Sequence, residues 1–348
     1  MTERGEFSHT EILSQPEAWA DALDVVEKSR DGLKNIFDAT YDQVVFTGCG
    51  STHYLSLAAA ALFQEMTGKI ARAVPGGELL LNSEAAIGWN SNPAHKTLLV
   101  AISRSGSTTE TVRAVEAFKQ QQRGPVLTIT NYGQEPLAGL ADVPLVIEKG
   151  QEESVAQTRS FAAMYLAAAA MTMLAAGNET LRGEMRKLPA VGEKLLKKYD
   201  ALARETGENL SFDRFYFLGG GARYGLACEG NLKMKEMTLS HSEPFYFLEF
   251  RHGPMSMVTR SAVVVGLLSE KNSGHERTLL DEMQAMGGTI LSLGEAEARV
   301  TFESGIPESA RNVLYLPVLQ LMAYYRSMAK GLNPDRPNNL TAVVKLDL

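Results

Sequence analysis

The pattern of apolar and polar positions divides the chain into leading helices followed by short buried strands that alternate with helices. Residues 8–39 carry apolar side chains at helical spacing, and Pro16 stands where it would start one of these helices. Strands that alternate with helices predict a parallel sheet covered on both faces. The strands predicted for this first lobe lie within 43–52, 69–74, 98–102, 125–130 and 144–147.

The second half of the chain repeats the order of the first. Phe46-x-Gly48-x-Gly50 matches Phe217-x-Gly219-x-Gly221 at an offset of 171 residues. A helix rich in Ala, Met and Leu closes the first lobe, and a polar helical segment leads to the second. The strands predicted there lie within 214–223, 244–248, 262–268 and 289–293. We therefore expect an α/β protein with two lobes, one that holds a ligand and one that reacts with it.

A loop rich in hydroxyl groups follows the most apolar strand. The strand over 98–102 runs into Ser103-Arg-Ser-Gly-Ser-Thr108 and then into a helix. A helix start presents unpaired backbone N–H groups and a positive dipole end, which bind phosphate readily. The alternative is that Ser107, Thr108 or Thr109 only caps the helix. Because the second lobe lacks this hydroxyl pattern, we expect a phosphate site in the first lobe alone.

Charged residues share one face of the helix that follows the second glycine turn. Glu229, Lys233 and Glu236 are spaced i, i+4, i+7, which suits either an exposed row of ion pairs or a reactive site. The helix starts at the carboxyl end of a buried strand, where open α/β sheets bind ligands, and this favours proton transfer. His252 precedes Gly-Pro in a turn, where it is either structural or functional.

Composition and charge exclude several classes of function. With 348 residues, two domains are expected, and a net charge of −7 argues against nucleic-acid binding. The chain has no apolar run of about 18 residues and a polar N-terminus, so we expect no membrane partner and a cytoplasmic location. Cys49 and Cys228 indicate neither disulfide nor zinc, the spacing of His residues indicates no metal, and the glycine turns lack the third glycine of a dinucleotide site. We expect no cofactor.

With these residues identified, the chain resembles the double sugar-isomerase (SIS) family, and within it the isomerase half of the glutamine–fructose-6-phosphate aminotransferases. The resemblance implies two tandem SIS domains, each a five-stranded parallel sheet flanked by helices in a doubly wound, flavodoxin-like arrangement. The domain limits would be 1–40 for N-terminal helices, 41–190 for SIS domain 1 and 205–348 for SIS domain 2. The motifs on which it rests are Gly48-Cys-Gly-Ser-Thr, Ser103-Arg-Ser-Gly-Ser-Thr, Glu153-Ser-Val-Ala-Gln-Thr-Arg-Ser-Phe, Glu229-Gly-Asn-Leu-Lys-Met-Lys-Glu, Glu249-Phe-Arg-His-Gly-Pro and Pro317-Val-Leu-Gln-Leu-Met-Ala-Tyr.

The resemblance also implies roles for individual residues. Glu236 would move the proton between C1 and C2 of the sugar, Lys233 would stabilise charge, and His252 would assist ring opening in the site of the neighbouring subunit of a homodimer with shared active sites. The residues that would hold the phosphate of a hexose 6-phosphate are Thr52, Ser103, Arg104, Ser105 and Thr108. Further substrate contacts would come from Gly50, Ser51, Val155 and Gln157.

Three departures from the synthases qualify this resemblance. The chain lacks the length and the N-terminal cysteine of their glutaminase domain, so we expect no ammonia from glutamine by that route. Ala342 stands where the synthases have the lysine that forms an imine with the ketose, and Lys345 would face the other way on a strand-like tail. Arg104 and Ser107 replace Gln and Glu, which makes the loop more positive.

The expected function is therefore a phosphosugar isomerase acting on an amino or amine-substituted hexose 6-phosphate by aldose–ketose proton transfer. One alternative is a fructosamine-6-phosphate deglycase or a glucosamine-6-phosphate deaminase, because a substrate that already carries nitrogen does not need the missing lysine. A second alternative is a non-catalytic protein that binds a sugar phosphate. Retention of the charged helix face together with His252 favours chemistry over such a sensor.

Overall fold

The computed structural model describes residues 3–88 and 96–347, which form two compact units. The first-sheet unit comprises Glu17–Glu152, Arg159–Arg186 and Thr341–Leu348. The second-sheet unit comprises Met1–Pro16, Glu153–Thr158 and Lys187–Leu340. The chain thus passes between the units several times, whereas the domain limits predicted from sequence are continuous ranges.

The strands predicted from the apolar pattern occur in the predicted order, and β10 (Val300–Thr301) is an additional strand that the pattern did not predict. The strands are β1 Gln43–Gly48, β2 Ala71–Pro75, β3 Thr97–Ser103, β4 Val126–Thr130, β5 Val143–Val146, β6 Arg214–Gly219, β7 His241–Tyr246, β8 Ala262–Leu267, β9 Thr289–Gly294 and β10 Val300–Thr301. The α-helices are α1 Glu6–Lys28, α2 Arg30–Asp38, α3 Ser51–Thr67, α4 Gly76–Leu81, α5 Ser83–Ile87, α6 Thr109–Gln120, α7 Pro136–Gly139, α8 Arg159–Ala175, α9 Glu179–Met185, α10 Leu188–Glu208, α11 Ala222–Thr238, α12 Ser273–Ala285, α13 Glu308–Arg311 and α14 Leu316–Ala329. Short 3₁₀ helices span Glu148–Gly150, Leu248–Arg251, Pro254–Met257 and Asn312–Tyr315.

The first sheet is parallel and has the strand order β2-β1-β3-β4-β5. Alternate residues of β1 point to opposite faces, as in any strand. Phe46 packs against Phe63 of α3 with ring centroids 5.9 Å apart, while Val45 packs with Leu79 of α4 and Phe118 of α6. Both faces are therefore covered by helices, and the switch in strand order falls between β1 and β3, where ligands of such sheets bind.

The second sheet has the strand order β10-β9-β8-β6-β7, the same topology as the first. Tyr216 and Val264 pack with Met283 of α12 on one face. On the other face a Cβ at Gly230 of α11 would lie 2.9 Å from the ring of Phe217, so glycine permits this close helix. The predicted α/β class, with two five-stranded parallel sheets flanked by helices, is confirmed.

The helix start predicted at Pro16 is wrong, because Pro16 lies inside α1. Proline has no N–H to donate to the carbonyl four residues earlier. That carbonyl, of Ile12, instead accepts a hydrogen bond from the side-chain amide of Gln15 at 2.8 Å. The same Nε2 also donates to Gln320 Oε1 at 3.0 Å, so the side chain before the proline replaces the missing donor and the helix continues.

Two further elements differ from the prediction. Strand β7 begins three residues earlier than the predicted 244–248, because it is an edge strand in which exposed His241 and Glu243 alternate with buried Ser242. A search for apolar runs does not find such a strand. The expected strand-like tail is also wrong, since 341–347 contains no strand. Among the helices of the described ranges, none is both long and apolar enough to cross a bilayer.

Candidate active site

The two glycine turns have the same geometry at the start of α3 and of α11. Gly50 has φ 59° and ψ −125°, and Gly221 has φ 55° and ψ −132°, a conformation that favours glycine. A Cβ at Gly48 would lie 2.6 Å from Thr52 Oγ1, and one at Gly219 would lie 2.5 Å from the carbonyl oxygen of Arg223. Each pair of glycines therefore lets a helix start directly against the end of its central strand.

The Thr52 hydroxyl forms part of the first turn. Its Oγ1 donates to the Cys49 carbonyl at 2.9 Å and accepts from the Cys49 N–H at 2.9 Å. Ser51 and Thr52 are both buried, and Gly50 is exposed at the tip. His53 follows in the same helix, where burial lowers the pKa of its imidazole, so this side chain is neutral at pH 7.

The hydroxyls of the loop after β3 gather at one point. Ser105 Oγ lies 3.5 Å from Ser103 Oγ and 3.3 Å from Thr108 Oγ1, and the Ser103 and Thr108 oxygens are 3.4 Å apart. Gly106 turns the loop with φ 67° and donates its N–H to Ser103 Oγ at 3.2 Å. In this described segment Thr108 occupies the N-cap position of α6 without making a side-chain capping bond. The loop therefore gathers its hydroxyls, and Thr108 does not act as a simple cap.

The C-terminal segment lies at the same helix start. The N–H of Thr109 donates to the carbonyl of Val344 at 3.3 Å, and the N–H of Leu346 donates to Thr109 Oγ1 at 3.0 Å. Ala342 and Lys345 are exposed. A backbone carbonyl thus satisfies one of the donors that the end of a helix leaves unpaired.

Arg104 is buried beside the hydroxyl cluster and has a charged partner. Its Nη1 lies 3.7 Å from Glu152 Oε2, and its Nη2 donates to the carbonyl of Ala342 at 2.8 Å. The Glu152 carboxylate is fully buried and accepts from the Ser160 N–H at 3.1 Å and from the Ser160 hydroxyl. The extra positive charge expected at this loop is therefore offset by a carboxylate at the start of α8.

The segment that contains Val155 and Gln157 is held within the second-sheet unit. Buried Glu11 of α1 accepts the N–H of Glu153 at 2.7 Å and that of Ser154 at 3.2 Å. The Val155 N–H donates to the Asp335 carbonyl at 2.9 Å, and the Thr158 carbonyl accepts from Gln320 Nε2 at 3.0 Å. Val155 and Gln157 are half-buried on this fixed backbone.

The charged face of α11 is buried, so the alternative of an exposed ion-pair row is wrong. Lys233 is 2% exposed and its Nζ lies 3.2 Å from Glu229 Oε1 and 2.7 Å from Glu236 Oε2. Burial lowers the pKa of the ammonium, but the two carboxylates raise it by more, so its pKa lies above the usual value. Glu236 is the accessible member, with 22% of its side chain exposed.

His252 lies in an exposed turn after β7. Its backbone N–H donates to the Glu249 carbonyl at 3.0 Å, and its side chain is exposed. Neighbouring Arg251 is tied to Glu282 of α12 by two hydrogen bonds of 2.8 and 2.9 Å. This ion pair holds the turn in place and leaves the imidazole at the surface.

The SIS domain model matches residues 39–174 and 211–318, which correspond to the two sheets. The chain belongs to the SIS domain family. The glutamine–fructose-6-phosphate aminotransferase of Pyrococcus horikoshii is 30% identical over 368 residues, which cover 100% of this chain and 59% of that protein. The chain therefore spans less than two thirds of the length of this relative.

Solved structures of similar length have the same fold. The glucosamine-6-phosphate deaminase of Thermotoga maritima is 27% identical with a TM-score of 0.79, and the match covers 97% of this chain and 99% of that one. The tagatose-6-phosphate ketose/aldose isomerase of Escherichia coli has a TM-score of 0.84 at 24% identity, with coverage of 95% and 96%. The second of these likenesses concerns the fold alone.

The sequence analysis did not identify two buried carboxylates, one in each unit. Glu152, which pairs with Arg104, directly precedes the motif that begins at Glu153, and Glu11 lies far away in the leading helix. The available signal for Glu152 was its place directly before that motif. Glu11 gave no local signal, because its partners are backbone N–H groups more than a hundred residues away.

The pairing of Arg104 with Glu152 generates the first testable prediction. Arg104→Met removes the guanidinium beside a fully buried carboxylate and should lower the free energy of unfolding by about 3 kcal/mol. Adding Glu152→Gln, which keeps an acceptor for Ser160, should recover a large part of that loss. The measurement is urea unfolding of the wild type, both single variants and the double variant; additive losses would show that the two side chains are not coupled.

Proposed function

We propose that this SIS protein is an enzyme that interconverts the aldose and ketose forms of an amino or amine-substituted hexose 6-phosphate. The observation that carries the proposal is the buried ammonium of Lys233 between two carboxylates, one of which, Glu236, is accessible. A structural ion pair needs one partner, whereas here a second carboxylate, in the last turn of α11, keeps part of its side chain exposed.

The phosphate is assigned to the hydroxyl loop of the first sheet. Three hydroxyl oxygens lie within 3.5 Å of one another at the start of α6, so their protons can turn together toward an anion. The helix dipole adds to this preference. Because Arg104 is already matched by Glu152, we assign the phosphate chiefly to Ser103, Ser105 and Thr108.

The proton transfer is assigned to Glu236. Its carboxylate removes the proton from C2 of the open-chain aldose, and the electrons form the C1–C2 double bond of an enediolate with the negative charge on O1. A proton passes from the O2 hydroxyl to O1, and the Glu236 carboxyl group delivers a proton to C1 as the C2 carbonyl forms. The Lys233 ammonium, 2.7 Å from Glu236 Oε2, stabilises negative charge as it develops. With a raised pKa, Lys233 has no free electron pair at neutral pH and is not the nucleophile of an imine. This mechanism uses no metal or nucleotide.

The exposed turn at His252 supports a homodimer with shared active sites. Large apolar side chains flank the imidazole along the segment, including Tyr246 at 50%, Leu248 at 52% and Met257 at 53% exposure. Apolar surface of this kind is typical of a protein interface. We assign to His252 the ring-opening proton transfer in the partner's site.

A second candidate function is removal of the amine, as in a deglycase or a deaminase. It is favoured by the full-length match to a glucosamine-6-phosphate deaminase and by Ala342 at the position of the imine-forming lysine. Such an enzyme uses the same proton shuttle but releases nitrogen. A non-catalytic sugar-phosphate sensor would have no need for a buried ammonium beside an accessible carboxylate.

Removal of the loop hydroxyls tests the phosphate assignment. Ser103→Ala with Ser105→Ala removes two hydrogen bonds to the anion and should weaken binding of fructose 6-phosphate about 100-fold. Binding of fructose itself should change little, as measured by calorimetry. Ser107→Ala, in the same loop but outside the cluster, is the matched control. Equal losses for the phosphorylated and unphosphorylated sugar would contradict the assignment.

Solvent exchange tests the proton transfer. Glu236→Gln should abolish deuterium incorporation at C2 in D₂O and leave binding measurable, because the amide has no basic oxygen. The control is Glu243→Gln, an exposed glutamate of β7. Fructose, glucosamine and fructosamine 6-phosphates are supplied in turn, and the product separates isomerase from deglycase or deaminase. Undiminished exchange in the variant would exclude Glu236 as the base.

Mixed subunits test the shared site. His252→Ala and Glu236→Gln should each be inactive as homodimers. After random reassociation, about one quarter of the wild-type activity should return, because half of the dimers are mixed and one of their two sites has both intact residues. Light scattering establishes the oligomer first. Mixed dimers of verified composition that remain inactive would place His252 in its own subunit's site or outside catalysis.

A further inference from the structure

The second sheet has its own filled anion position at the carboxyl end of β8. The carboxylate of Glu276, in the first turns of α12, is 3% exposed and folds back into the loop after the strand. It accepts the Ser269 N–H at 2.6 Å, and both carboxylate oxygens lie 3.0 Å from the Ser269 hydroxyl. Arg223 Nη2 lies 3.9 Å from Glu276 Oε1. A buried carboxylate thus accepts hydrogen bonds from a backbone N–H and a hydroxyl and lies beside a guanidinium.

The internal repeat places this carboxylate where the first sheet has its hydroxyl loop. Strands β1 and β6 correspond at the offset of 171 residues, and their pairings make Thr97 of β3 equivalent to Ala262 of β8. Counting on from these residues, Ser269 takes the place of Arg104, and each loop leads into a helix, α6 or α12. The two loops are therefore alternative versions of one structural position.

The donors differ between the two versions. Arg223 stands at the position of Thr52 in the preceding turn, so the second sheet has a guanidinium where the first has a hydroxyl. It is more than nine-tenths buried, and it also pairs with Glu308, which accepts the Glu270 N–H at 2.8 Å. The matching turn of α6 carries Thr111, which is no anion. A carboxylate fills the position in the second sheet only.

We propose that the loop after β8 is a second anion site of the duplicated fold, which the chain occupies permanently with its own Glu276. A tethered carboxylate competes at a high effective concentration, so free phosphate does not displace it. Each chain therefore takes one phosphorylated ligand, at the first sheet. That stoichiometry rests on the proposed function, whereas the nature of the second position does not.

Removal of the carboxylate tests the inference. Glu276→Ala leaves the Ser269 N–H and hydroxyl and the Arg223 guanidinium around an open space. Equilibrium dialysis with radiolabelled inorganic phosphate should count one more site per chain in this variant than in the wild type. Millimolar phosphate or formate should also raise its melting temperature relative to chloride at equal ionic strength. Asp281→Ala, an exposed carboxylate of the same helix, is the charge-matched control and should gain no site.

The remaining outcomes also decide the question. Glu276→Gln should gain no site, because the amide still fills the space. If Glu276→Ala folds only when phosphate or formate is present, the inference is supported; failure to fold in all three salts overturns it. A folded variant without an additional site overturns it as well. If the wild type bound no phosphate, this would contradict the proposed function alone. The additional site of Glu276→Ala is counted relative to the wild type and is judged separately.

Discussion

A helix that begins at the end of a central parallel strand presents backbone donors to a space that must contain an acceptor. This constraint arises twice, because Gly50 and Gly221 start helices in the same geometry. The glycine turns bring each helix against its strand, and the neighbouring loop then has to complete the site. In the loop after the neighbouring strand, the first sheet has three clustered hydroxyls and a backbone carbonyl that accepts from α6, while the second sheet has the carboxylate of Glu276, which accepts from Ser269. The two halves of the duplicated fold therefore place different acceptors at the same structural position.

Burial of charge governs the rest of the candidate site. An ion taken out of water is tolerated only with a partner of opposite charge and good hydrogen bonds. Arg104 has Glu152, and Lys233 has two carboxylates, of which Glu236 remains accessible. In the first arrangement, the positive charge of Arg104 is balanced by the negative charge of Glu152. The second leaves one carboxylate exposed beside a fixed positive charge, and this asymmetry is the physical basis for assigning chemistry to α11.

The sequence predicts most of the architecture because apolar runs, glycine turns and an internal repeat are local signals. It also predicts the shared face of Glu229, Lys233 and Glu236, since helical spacing alone determines it. The role of Gln15 is not a local signal of this kind. Its side-chain amide donates to the Ile12 carbonyl and so keeps α1 intact past Pro16, and this contact depends on the conformation of the side chain. The partners of Arg104 and of the Val155 segment come from distant parts of the chain, so no window of sequence reveals them.

The same electrostatics bear on which substrate suits the proposed enzyme. An imine mechanism needs a neutral amine, yet Lys233 is held as an ammonium by its two carboxylates, and Ala342 has no amine. A sugar that brings its own nitrogen would present a cation or a polar amine to a face that, counting Glu229, Lys233 and Glu236, has one negative charge in excess. A hexose 6-phosphate without an amine has no positive group that this excess could attract. The charge balance of α11 therefore favours an amine-substituted sugar phosphate over a plain one.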